Sequence, residues 1–190
     1  AAKAVSPEDD NMLAISTDGR KAALDIRMIV PTAPSGPTKI DVAADAIHRV
    51  WEQTRDYEYL DVVTGQPSPV RGALQLVFSD IGTPHPDRWN AQLVQRGMPA
   101  EAIRFMHEAR TDTDKARLFA AARAGHIAVL IGSTEKMGVG TNVQARAIAL
   151  YHLDCPWRPS DIAQREGRIL RQGNQNTEIA IVRLVTERSF

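Results

Sequence analysis

A chain of 190 residues holds one domain or a little more, long enough to bury a sizeable core. Lys and Arg total 23 and so do Asp and Glu, so no net basic field announces nucleic acid, and any such partner must be met by a local patch. One cysteine, Cys155, excludes an internal disulfide framework and fits a reducing cytosol. No apolar run approaches a membrane span and no signal-peptide pattern opens the chain, so the expected location is cytoplasmic.

Residues 1–37 read as a lead-in. Met12 to Ile15 is a short apolar run ending at the turn signal Thr17, Asp18, Gly19, and Arg20 to Ile29 is predicted helical until Pro31 and Pro34 stop it. A linker, SGPTK, follows from Ser35. Asp41 to Asp56 is predicted as a helix with a wide apolar stripe, Asp41 as its cap. Asp61 to Gly72 reads as a loop without function.

From there apolar runs alternate with helices. Strands are predicted at Ala73–Phe78, Ile103–His107, Ile127–Ile131, Ala147–Leu153 and Ile179–Val185. Helices are predicted at Asp87–Arg96, at Asp112–Ala124 with Ala116, Phe119, Ala120 and Arg123 on one face, and at Pro159–Arg171. Strands apolar throughout and separated by helices predict an α/β fold with a mainly parallel sheet covered on both faces. Ligands in such sheets sit beyond the carboxyl ends of the strands.

The last helix carries the segment QREGRILRQG, Gln164 to Gly173. On a continuous helix Gln164, Arg168 and Arg171 point the same way. Two guanidiniums on one face are poor core material but suit a polyphosphate, whose oxygens they hold with paired hydrogen bonds. Gly167 lets a backbone or phosphate come close. Seen alone, the segment reads first as a solvated face of Arg–Glu pairs.

The pattern Q-x-x-G-R-x-x-R-x-G resembles motif VI of superfamily-two helicases and translocases, most closely the Swi/Snf-type branch. Upstream, VFSD at 77–80 is similar to motif IV, STEKMGVGTNV at 133–143 to motif V, and DCPWRP at 154–159 to the family's D-x-x-W-x-P segment. The motifs fall in the family's order, over roughly Ser35 to Val185. Arg158 departs from the usual Asn, and Glu135, Lys136 and Met137 depart from the usual motif V. The sequence also looks like the helicase region of large plasmid- and phage-borne DNA methylase–helicase fusions.

The resemblance implies a second, C-terminal RecA-like domain over 38–190, a three-layer sandwich preceded by the helical lead-in. It implies that Arg168 and Arg171 act as arginine fingers in ATP hydrolysis, with Gln164 positioning the phosphate or its water, or else lying at the surface. Gly138, Gly140, Asn142 and Asp154 are the candidate nucleotide-side residues. Ser79, Ser133, Thr134, Lys136 and Arg158 are the candidate contacts to the DNA backbone, with Thr83 and Pro84 as lesser ones. Trp157 reads as packing and Cys155 as an ordinary half-buried thiol. His85, His107, His126 and His152 lack metal-ligand spacing, so no metal is expected in this chain.

No G-x-x-x-x-G-K-[ST] loop and no D-E-x-H box occurs. The chain starts at Ala1 without an initiator Met and reads as a piece of a longer protein. ATP and Mg²⁺ are then expected mostly on a first RecA-like domain of the same parent, this domain's principal partner besides DNA. Two rivals remain: a fragment of an adenine-specific DNA methyltransferase, from the likeness of Asp154, Cys155, Pro156 and Trp157 to a D-P-P-W tetrad, and a docking module without motor role.

Overall fold

The predicted apolar runs become β1 (Leu74–Phe78), β2 (Ile103–Phe105), β3 (Val129–Gly132), β4 (Ala147–His152) and β5 (Ala180–Arg183). In the computed structural model, which describes residues 12–34, 36–81, 86–138 and 142–186, they form one sheet in the order β2-β3-β1-β4-β5. Every neighbouring pair is parallel, as continuous apolar strands predict. The register sets Leu76 beside Leu130 and Leu150, and Val77 beside Ile131 and Tyr151.

Side chains alternate between the two faces, and each face has its own core. One takes Val77, Ile131 and Tyr151 and is covered by α2 (Lys39–Thr54) and α3 (Pro86–Gln95) through Ala43, Ala44, Ile47, Trp89 and Leu93. The other takes Leu76, Phe78, Leu130 and Leu150 against α4 (Asp112–Ala124), through Leu118, Phe119 and Ala122. Of the four residues predicted to share one face, Phe119 is buried and Arg123 half-buried, while Ala116 and Ala120 are exposed. The apolar pattern of α4 is thin, so the sheet rather than the periodicity selects the buried side. Met137, on the short α5 (Thr134–Gly138), and Ile169 complete this layer.

Two boundaries differ from expectation. The lead-in helix α1 runs Met12–Leu24, straight through Thr17, Asp18 and Gly19. One helical glycine costs only about 1 kcal/mol, and Lys21 pairs with Asp18 one turn away at 3.1 Å. The helix ends where Asp25, in extended conformation, bonds the Arg27 backbone amide and guanidinium. Leu24 and Met28 thereby pack onto the core shared with α2. At the start of α2 the cap is Thr38 rather than Asp41. Asp41 is the reciprocal partner three residues on, accepting the Thr38 amide at 2.8 Å.

The loop at 57–72 is anchored by Arg146, whose guanidinium is buried beneath the Tyr59 ring and donates to the Val70 carbonyl (2.7 Å) and the Ser68 hydroxyl (2.5 Å). Gly125 ends α4 in the left-handed region at φ 94°, and a Cβ there would collide with that same guanidinium. Gly125→Ala is therefore expected to destabilise the fold by about 1–3 kcal/mol, read as a lowered urea midpoint with unchanged slope.

Candidate nucleotide and nucleic-acid site

The carboxyl ends of β1, β3 and β4 meet around one side chain that the motif reading passed over, Arg165. It lies on α6 (Pro159–Glu166) and is fully buried. Nη2 donates to Asp80 Oδ2 at 2.8 Å and to Asp154 Oδ1 at 2.9 Å. Nε donates to the Thr134 hydroxyl at 2.7 Å, Nη1 donates to the Asp154 carbonyl at 3.1 Å, and the guanidinium stacks on Phe78. Asp154 Oδ2 accepts the amides of Asp80 (2.6 Å) and Ile81 (2.9 Å). Asp80 in turn accepts the Thr134 amide (2.7 Å) and hydroxyl (3.0 Å). Three strand ends are thus joined by one cation and two carboxylates, the arrangement that lets ionised groups sit out of water.

Several predicted contact residues belong to this knot. Ser79 is buried and gives its hydroxyl to the Ile81 carbonyl, and Asp154 is buried with both oxygens engaged. Thr134 is half-buried, its amide and hydroxyl held by Asp80, and the Ser133 hydroxyl accepts the Lys136 amide at 3.3 Å. Lys136 is exposed in an open groove between α4 and α5, shared with His107, Arg110, Lys115, Arg123 and Glu135. Arg158 is exposed at the start of α6 and makes no side-chain cap. Trp157 is 63% exposed with Arg20 stacked over it, and Cys155 is exposed, so neither packs inside as expected.

The helix predicted to reach Arg171 stops at Glu166. Gly167 caps it in the right-handed region at φ −61°, and Arg168 and Arg171 occupy the turns that follow, bonded through Arg168 N to the Arg165 carbonyl and Leu170 N to the Glu166 carbonyl. Gln164, Arg168 and Arg171 therefore do not form one straight helical row. Gln164 and Arg171 are exposed and Arg168 is half-buried. Burial, and then the positive charge of Arg171, lower the Arg168 pKa.

Gln144 donates to the Gln172 carbonyl at 3.1 Å and the Gln175 amide bonds the Ala145 carbonyl, so the segment after Arg168 returns to the start of β4. The neighbours of exposed Asn142 are thereby set beside those of Arg171. Of the predicted residues, Ser79, Ser133, Thr134 and Asp154 lie at the carboxyl edge, and Arg168 and Arg171 lie on the segment that runs from the end of α6 to Gln172 and Gln175 beside the start of β4. Gly138 closes α5. Gly140, Thr83, Pro84 and His85 lie outside the described residues.

The model of the helicase conserved C-terminal domain matches residues 77–173, just over half of the chain and the span from β1 through the paired arginines. The chain belongs to this helicase C-terminal family. Its fold agrees with solved relatives. The crystal structure of the C-terminal part of the Fun30 ATPase domain superposes with TM-score 0.60 and 17% identity, over 93% of this chain and 51% of that one. The E. coli DEAD-box protein SrmB, solved bound to the regulator of ribonuclease activity RraA, gives TM-score 0.52 and 14% identity over 77% and 69%. The helicase C-terminal domain thus spans about half the length of the Fun30 chain it matches, and identities this low speak for the fold alone, which is RecA-like. No curated protein sequence matches the chain. Among the described residues no helix is long and apolar enough to cross a membrane.

Removing one member of a buried ion cluster strands the others. Arg165→Ala is expected to lower stability by about 3–5 kcal/mol in guanidinium unfolding, and Arg165→Lys to recover only part of it, since an ammonium cannot reach all four partners.

Proposed function

We propose that this helicase C-terminal domain is the second motor half of an ATP-dependent DNA translocase of the Swi/Snf type, from a large methylase–helicase fusion. The observation that carries it is the pair Arg168 and Arg171. Arg168 is half-buried and Arg171 is exposed on the turns that follow α6, and the positive charge of Arg171 adds to burial in lowering the Arg168 pKa. A polyphosphate answers that charge pair in a way a lone carboxylate does not. When bound, ATP with Mg²⁺ supplies the phosphoryl group and its metal, held mostly by a first RecA-like domain. This chain's own part is to bring Arg168 and Arg171 to the departing phosphate, with Gln164 orienting it and Asn142, Gly138 and Gly140 shaping the approach. Asp154 acts through Arg165, setting α6 on the sheet, rather than by touching nucleotide.

DNA runs along the phosphate backbone without base reading. The exposed cations Lys136 and Arg158 make direct contacts, and Ser133 and Thr134 present the turn between them. Buried Ser79 shapes the motif IV loop. The methylase reading gains nothing from the geometry, because the Asp154 carboxylate is occupied by two amides and Arg165.

In the intact parent protein, Arg168→Ala or Arg171→Ala is expected to reduce ATP turnover on the order of 10³-fold, measured at saturating DNA. Near-normal turnover in both variants removes the arginines from this role. The isolated chain is expected to bind ATP weakly and hydrolyse none. Lys136→Glu and Arg158→Glu are expected to weaken DNA binding alike for all sequences and to flatten the salt dependence by about one unit of slope each.

A further inference from the structure

One buried titratable group takes no part in the motor assignment. His152, the last residue of β4, is 5% exposed and lies between motif VI and the sheet. Its Nδ1 is 3.4 Å from Arg165 Nη1. Its Nε2 is 3.2 Å from Glu166 Oε1, somewhat off the line of an ideal hydrogen bond. Glu166 also receives Arg183 of β5 at 2.6 Å, and the imidazole stacks on Phe78 of β1.

The tautomer follows from the partners. A guanidinium has only donors, so Nδ1 must keep its lone pair toward Arg165. The single proton of a neutral ring then sits on Nε2, facing the Glu166 carboxylate. Both partners are consecutive residues of α6, and the turns that carry Arg168 hang from their carbonyls: Arg168 N bonds the Arg165 carbonyl, and Ile169 N and Leu170 N bond that of Glu166.

We propose that His152 is a positioning residue, a neutral Nε2–H imidazole that latches the arginine-bearing end of α6 to the sheet, and that acid opens this latch. A proton added at Nδ1 would set N–H against N–H and place a second cation beside Arg165. The charged groups around the ring are Arg165 and Glu166 on α6, Arg183 on β5, and, beyond Arg165, Asp154 and Asp80 on the loops after β4 and β1. Burial, followed by Arg165, lowers the His152 pKa, with Glu166 opposing. Glu166 is itself held below its usual range, chiefly by Arg183. The sign is then fixed. The unfolded chain takes up the histidine proton first, so stability is full above the ordinary histidine range near pH 6.5 and falls as pH drops through it. The bearing on catalysis rests on the role given to Arg168; the latch itself does not.

The test is NMR of this chain with labelled histidine, joined to amide exchange. The His152 proton is expected on Nε2, and the ring to stay neutral below the ordinary histidine range. Amides of Arg168, Ile169 and Leu170, corrected for intrinsic rates, are expected to lose protection between about pH 7.5 and about pH 5, while β1 and β3 stay protected. His152→Gln, which accepts from Arg165 and donates to Glu166 without titrating, is expected to keep the protection and abolish its pH dependence. His152→Leu is expected to lose it at both pH values. An Nδ1–H ring, an ordinary titration, or a Gln variant with the wild-type pH response overturns the proposal. A latch that passes, in a protein whose arginine variants turn over ATP normally, instead overturns the motor assignment.

Discussion

A guanidinium without water around it has to be answered by oxygen on every side, and the upper half of this domain is arranged to do that for Arg165. Asp80 comes from beyond β1, Thr134 from beyond β3, and Asp154 with its own carbonyl from beyond β4. Ile81, Met137 and Leu153 give the three loops some apolar anchorage, but it does not set how their polar ends meet. What fixes them is that moving any one leaves buried charge unmatched, a far larger penalty than a lost surface contact. Two carboxylates against one cation would leave excess negative charge, and the amides of Asp80, Ile81 and Thr134 take up the remaining oxygen lone pairs. Motif IV, motif V and motif VI are therefore coupled through one side chain rather than through three separate packing contacts.

A second set of polar ties works at the other end. Asn174 donates to the carbonyls of Ala147 (2.8 Å) and Ile169 (3.2 Å), Gln175 exchanges two hydrogen bonds with the Leu60 backbone, and the Tyr59 hydroxyl reaches Asn176 at 2.7 Å. The loop at 57–72 thus braces the chain just after Arg171. Arg146 in turn braces the loop from beneath, which is why a stretch without recognisable chemistry still bears on where the paired arginines lie.

The sheet was legible in the sequence because strands buried on both faces must be apolar throughout, and ALQLVF or AIALYH admits little else. The glycine after Ala124 made the end of α4 legible as well, and the structure adds a capping box at Thr111. The buried face of α4 was legible only in part, because an alanine-rich helix offers several nearly equal faces and only the sheet chooses. The lead-in failed for the opposite reason: Thr17, Asp18 and Gly19 are local turn formers, overruled by the helix on either side. Spacing proposed Arg168 and Arg171 as a pair but drew them onto a helix that ends at Glu166. Arg165 was hidden because its partners, Asp80 and Asp154, are separated from it by 85 and 11 positions, and nothing in a local pattern distinguishes a buried arginine from an exposed one.

The two groups of motif residues have a mechanical consequence. On the proposed roles, a DNA backbone at Lys136 and Arg158 and a polyphosphate at Arg168 and Arg171 would be met by different side chains, so the two ligands would communicate through the structure that joins them. That is α5 and α6. The first residue of α5 is tied to Asp80, and α6 is tied to both carboxylates by Arg165 and to β4 and β5 by His152 and Glu166. A hydrogen-bonded knot of this kind has few intermediate arrangements, because partial displacement exposes charge without satisfying it. It moves as a unit or not at all. A domain that must convert a change at one ligand into a displacement at another is better served by such a junction than by an apolar one, which would slide by small steps and pass on little of the change.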